Sequence, residues 1–92
     1  MPSIISAFGY KIFFWFNEGN EPVHVHIVKG KPVKNSTKVW LTQKGGCIIA
    51  DNRSNIPSDE LSRLQAVIVT NYFLIIDAWK KMFPGEEIRF YC

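Results

Sequence analysis

From Ser58 to Phe83, apolar residues recur at steps of three and four. Leu61, Leu64, Ile68, Tyr72, Ile75, Trp79 and Met82 fall on one stripe of a helix. Ser58 reads as the N-cap, with Asp59 and Glu60 opposing the helix dipole in the first turn. Lys80 and Lys81 lie in the last turn, and Pro84-Gly85 stops the helix. At 1.5 Å per residue, it would run about 37 Å, which is long for a small domain. A second stripe of Val69, Phe73, Ile76 and Phe83 flanks the first, and Val67, Leu74 and Ala78 widen it on the other side. Only the band around Arg63, Thr70, Asp77 and Lys81 is plainly polar. A sheet has one face to offer such a helix, so the rest of the chain wraps it or a second subunit covers it. The spacing therefore predicts a homodimer with Phe73, Leu74 or Ile76 at the interface.

The strands that must receive this helix lie upstream. Tyr10 to Phe16 is an aromatic and apolar run with strand propensity. Asn17-Glu18-Gly19-Asn20 reads as a turn, with Gly19 and the asparagines suited to positive φ. Val23 to Val28 is the hairpin partner, and Gly30 and Pro32 end it. Thr37 to Thr42 and Cys47 to Ala50 are further strands joined at Lys44-Gly45-Gly46, and Asp51 to Pro57 is a loop. Glu86 to Cys92 alternates Ile88 and Phe90 with Arg89 and Tyr91, a short strand able to dock on a sheet edge. The expected fold is α+β: an antiparallel meander of three to five strands packed on one long C-terminal helix.

With 92 residues and 47% hydrophobic content, the chain reads as one globular domain, 1–92. The opening residues have no basic region ahead of a long apolar run, so no signal peptide is expected. No apolar stretch reaches the length of a membrane span. Cys47 and Cys92 form neither a disulfide framework nor a zinc spacing, which favours a reducing cytoplasm. The net charge of +3 is uneven. Residues 1–50 carry six lysines against Glu18 and Glu21, a balance of +4, and no acidic residue falls between Pro22 and Ala50. Lys29, Lys31 and Lys38 make a positive surface suited to an anionic partner, nucleic acid included. The plainer reading is a solvated, lysine-protected sheet edge.

His24 and His26 are the only histidines, two residues apart in Glu21-Pro22-Val23-His24-Val25-His26. In a strand they share a face, about 7 Å apart along the backbone. Three readings stand. As metal ligands they need a third donor: Glu18 or Glu21 nearby, or Cys47 or Asp51 brought in by folding. With no further histidine the set is thin, so the sequence assigns neither a metal nor a cofactor. As an acid–base pair they could cleave RNA, with Lys29, Lys31 or Lys38 stabilising the phosphorane. As structural residues they order the turn through Glu21 or Asn17.

Gly9-Tyr10, Phe13-Phe14, Asn17 to Pro22, His24 to Ile27, Lys38 to Leu41, Glu60-Leu61 and Trp79 follow the order of a known signature. The chain resembles, over residues 2–83, a small bacterial family of unknown function with the pattern GY-FF--NEGNEPPHIHV, KFWL, EL and a late tryptophan. The resemblance implies a prokaryotic cytoplasmic protein whose gene often neighbours a second small gene, as in toxin–antitoxin pairs. It implies a small partner protein and supplies no catalytic residues. Val23 replaces the family's second proline, and the tail from Pro84 to Cys92 runs past the family's end. The resulting expectation is an interaction module of a two-gene, toxin–antitoxin-like system, acting as a homo-oligomer or with that small protein and without a membrane. The alternative is a small RNA-directed nuclease built on His24 and His26, and whether the chain is an enzyme stays open.

Overall fold

Alternating apolar and polar positions produce the sheet, and the three-and-four repeat produces the helices that cover it. The computed structural model describes residues 3–15, 18–31 and 35–92. Phe16, Asn17 and Pro32, used in the sequence reading, lie outside the described residues, as does Lys34, one of the six lysines counted there. The sheet is a five-stranded antiparallel meander in sequence order: β1 (Ser3–Ala7), β2 (Tyr10–Phe13), β3 (His24–Lys29), β4 (Thr37–Leu41) and β5 (Cys47–Asp51). Two helices follow, α1 (Ser58–Thr70) and α2 (Tyr72–Met82). The α+β expectation holds, with two corrections to its parts.

The first is β1. It pairs with β2 through Ile5↔Ile12 and Ala7↔Tyr10 across a two-residue turn at Phe8-Gly9. Both turn residues have positive φ, 54° and 81°, the signs of the hairpin turn that matches strand twist. Glycine takes this conformation freely, but a phenylalanine holds it under strain.

The second correction is the helix, which is bent by 72° between α1 and α2. At the break, Asn71 leaves helical geometry with φ −105° and ψ 23°. Its side-chain amide donates to the Val67 carbonyl at 2.9 Å, doubling the backbone bond from its own N–H to the same oxygen. A local side-chain bond of this kind competes with the helical ladder and turns the axis. At the start of α1, the Leu61 N–H bonds the Pro57 carbonyl at 2.8 Å, so Pro57 is the cap and Ser58 is the first helical residue. Among the described residues, no single helix is long and apolar enough to cross a membrane.

The bend lets both stripes reach the same core. Ile12, Val25, Ile27, Val39 and Leu41 of the sheet are fully buried with Leu64, Ile68, Ile75 and Trp79 of the helices. Ile76 and Phe83 are also buried within their own chain, so Ile76 is not an interface residue. Val69, Phe73 and Leu74 stay exposed, Phe73 at 80%.

The expected strand from Glu86 to Cys92 does not form, because its backbone bonds to the sheet region are isolated ones, Val23 N–H to Arg89 O and Gln43 N–H to Cys92 O. The tail docks on its own chain all the same. Tyr91 stacks on Trp40 with centroids 5.0 Å apart and planes 4° apart, and the Arg89 guanidinium donates to the Asn20 carbonyl.

Candidate functional site

Antiparallel register lines up one row of residues across four strands, on the face away from the helices. Phe13 lies opposite His26, His26 opposite Lys38, and Lys38 opposite Asp51. His24 pairs with Trp40 in the next row on the same face. The histidine rings lie 5.0 Å apart and share Glu18, which reaches them from the loop before β3. That the two histidines face the same way is as the spacing predicts.

Gly19 explains how the loop comes so close. A Cβ at this position would sit 2.6 Å from Cδ1 and 2.8 Å from Cγ of Phe83. Its φ is not positive. The glycine therefore serves close approach rather than the turn conformation read from the sequence. With the loop seated on Phe83, the adjacent Glu18 is directed at the histidines.

The ring nitrogens are unequal. His24 is fully buried, and its Nδ1 lies 2.8 Å from the Pro22 carbonyl. A carbonyl only accepts, so Nδ1 carries the hydrogen. His24 Nε2 lies 2.9 Å from Glu18 Oε1, yet the approach is out of line and the nitrogen has no hydrogen-bond partner. The short distance here is a contact of charge with ring rather than a hydrogen bond. His26 Nε2 meets both Glu18 oxygens, at 2.9 and 3.2 Å, and its Nδ1 is 3.1 Å from Ser36 Oγ. Aromatic rings enclose the pair: Phe13 stacks on His26 at 5.6 Å, and Trp40 and Trp79 both meet His24 edge-on at 5.4 Å. Burial pushes the Glu18 carboxyl up, but the contacts with His24 and then His26 outweigh it and hold the group down at about 2. The carboxylate is thus ionised between two imidazoles.

A cleft of about 570 Å³ opens beside the cluster, lined by Trp15, Glu18, His26, Ser36, Lys38, Asp51 and Arg53. His26 lines it and His24 does not. The two imidazoles therefore share a carboxylate rather than one open, phosphate-sized space. Lys38 reaches the cleft, paired with Glu21 at 2.9 Å and lying 4.3 Å over the Trp40 ring. Lys29 falls on the opposite parity of β3 and lies over Tyr10, and Lys31 follows the strand's end; neither lines the cleft. Of the other donors considered, Cys47 is on the helix side against Gln65, and Asp51 faces Arg53 at 4.0 Å. Ser36 and Arg53 had no signal in the sequence. The loop bearing Arg53 is fixed by Asn52, which accepts from Thr37 Oγ1 at 2.6 Å and bonds the Ile56 backbone twice at 3.0 Å.

No curated protein and no solved structure matches the chain. A family model does match residues 9–80, which hold β2 to β5, the Glu18 loop, both histidines and Trp79. The chain belongs to that family, a domain of unknown function, DUF4160.

Proposed function

We propose that this chain is an interaction module that pairs with a second copy of itself through the surface around the helix bend. The observation that carries the reading is Phe8, held outward at 59% exposure on a strained turn. A bulky residue at positive φ costs about 1–3 kcal/mol and persists where the outward position serves something. Beside it runs a groove of about 300 Å³ lined by Phe8, Arg63, Ala66, Val67, Thr70 and Asn71. Val69, Phe73 and Leu74 are bare on the same stretch of helix. A projecting aromatic next to an apolar groove is self-complementary, since each copy offers a side chain and a place for one. Two-fold pairing is the commonest way to close such a surface. The resemblance supports the reading that the module belongs to a two-gene, toxin–antitoxin-like system in a bacterial cytoplasm, where a small partner protein would meet the assembled dimer.

Sedimentation and light scattering from 1 to about 100 µM test the pairing. The wild type is expected as a dimer. Phe73→Glu with Leu74→Glu should give a folded monomer whose Trp79 fluorescence is unchanged. Phe8→Asn should weaken the dimer while stabilising the fold by about 0.5–1 kcal/mol, because asparagine accepts the turn conformation. A wild-type monomer throughout this range would end the reading.

A further inference from the structure

We propose that Glu18, His24 and His26 form a binding site for one divalent first-row transition-metal ion, held by the carboxylate and both Nε2 atoms. The first ground is the buried, unpartnered His24 Nε2, 2.9 Å from Glu18 Oε1. Its Nδ1 already donates to Pro22 O, so Nε2 is the nitrogen left to ligate. A cation between Nε2 and the Glu18 carboxylate gives that nitrogen the partner it lacks. The second ground is convergence. One donor atom from each of the three residues lies within 4.8 Å of the others. For bonds of about 2.1 Å, adjacent ligands stand about 3.0 Å apart in an octahedron and about 3.4 Å apart in the tetrahedron usual for zinc. Glu18 Oε1 is 2.9 Å from each Nε2.

The supporting contacts are those a metal site needs. The far nitrogen of each ring is engaged, His24 Nδ1 by the Pro22 carbonyl and His26 Nδ1 by Ser36 Oγ. Such contacts fix the ring orientation and leave Nε2 free to ligate. Two imidazoles and one carboxylate suit zinc or iron(II) and leave coordination positions open. Glu18 and His26 line the cleft, so the open side faces it. Lys38 and Arg53 line the same cleft, beside Asp51.

The test titrates the full chain, stripped with a chelator, with Zn²⁺ and with Co²⁺ by calorimetry. One ion per chain is expected. Glu18→Gln and His26→Gln should each weaken binding about 100-fold or more, and Ser36→Ala about 10-fold with every ligand still present. Circular dichroism checks that each variant is folded. Nitrogen-15 spectra of the wild-type histidines give a reading that needs no variant: Zn²⁺ should shift Nε2 of both rings and leave Nδ1 of both protonated or hydrogen-bonded. Absence of Zn²⁺ and Co²⁺ binding by the folded wild type overturns the proposal. So does binding that Glu18→Gln and His26→Gln both leave unchanged, or a spectrum in which only one ring responds.

Discussion

On the helix side of the sheet, Ile12, Val25, Ile27, Val39 and Leu41 meet Leu64, Ile68, Ile75 and Trp79 in an apolar cluster, whose Tyr10 and Tyr72 hydroxyls donate to Glu60 and to the Thr42 carbonyl. On the other side, Phe13, His24, His26, Lys38 and Asp51 form a surface on which the polar groups need partners. Apolar burial is non-directional and asks only for volume, so the helix side specifies the fold. Buried polar groups need partners in set directions, so the histidine side specifies one arrangement of a few atoms. Building stability on one face leaves the other free to hold a carboxylate between imidazoles, which no core packing requirement would select.

Trp79 is where that division is most easily broken. It packs on Phe14 at 5.1 Å and Phe83 at 4.6 Å, and its edge also meets His24 at 5.4 Å. Trp79→Ala should cost about 3–5 kcal/mol in urea denaturation. It should also move the His24 ring resonances, since one wall of that ring is removed. A large stability loss with unmoved His24 signals would mean that the two faces are independent after all.

Gly19→Ala sharpens the comparison from the loop side. The added methyl meets the base of the Phe83 ring, so either the ring or the loop must shift. The expected cost is about 1–3 kcal/mol, the range for overpacking a filled site. Because Glu18 moves with the loop, the His26 resonances should shift as well. Wild-type stability in this variant would show that Phe83 does not seat the loop.

Alkaline pH should weaken the helix side first. Burial raises the Tyr10 phenol, with Glu60 and then Asp59 adding to the effect. Burial alone raises Tyr72, and it raises Cys47 despite the hydrogen bond from Gln65. All three belong to the helix-side core or pack against it. In the unfolded chain these groups ionise near 9.0 for the thiol and 10.0 for the phenols, while the native state keeps them neutral to higher pH. The native state then binds more protons, so stability is full below these values and falls as pH rises through them. Denaturation at stepped pH measures the slope, and Tyr10→Phe should make it shallower. An unchanged slope in Tyr10→Phe would remove Tyr10 from the account.

Much of this was legible in the residues. Period-two and period-three-and-four patterns gave β2 to β5 and the helical half, and the spacing of His24 and His26 gave their common face. β1 was not legible, because Ser3-Ile4-Ile5-Ser6-Ala7 is too short and weakly alternating to stand out before it is paired. The bend at Asn71 was hidden because asparagine is tolerated within helices, and only its bond to Val67 shows what it does. Glu18 was one of four candidate donors in sequence. Its selection depends on the contact of Gly19 with Phe83, between residues far apart in the chain. Ser36 and Arg53 reach the site through strand register and a stapled loop, which residue types do not encode.

The meander has a kinetic meaning. Each strand pairs with its neighbour in sequence, so every hairpin closes a short loop before any distant contact forms. Glu18 and His26, only eight residues apart, belong to a single such segment. Local strand pairing of this kind favours fast formation of the sheet. Local pairing thus brings the histidines to one face, but Glu18 reaches them only with Phe83, at the end of the helices, seating its loop.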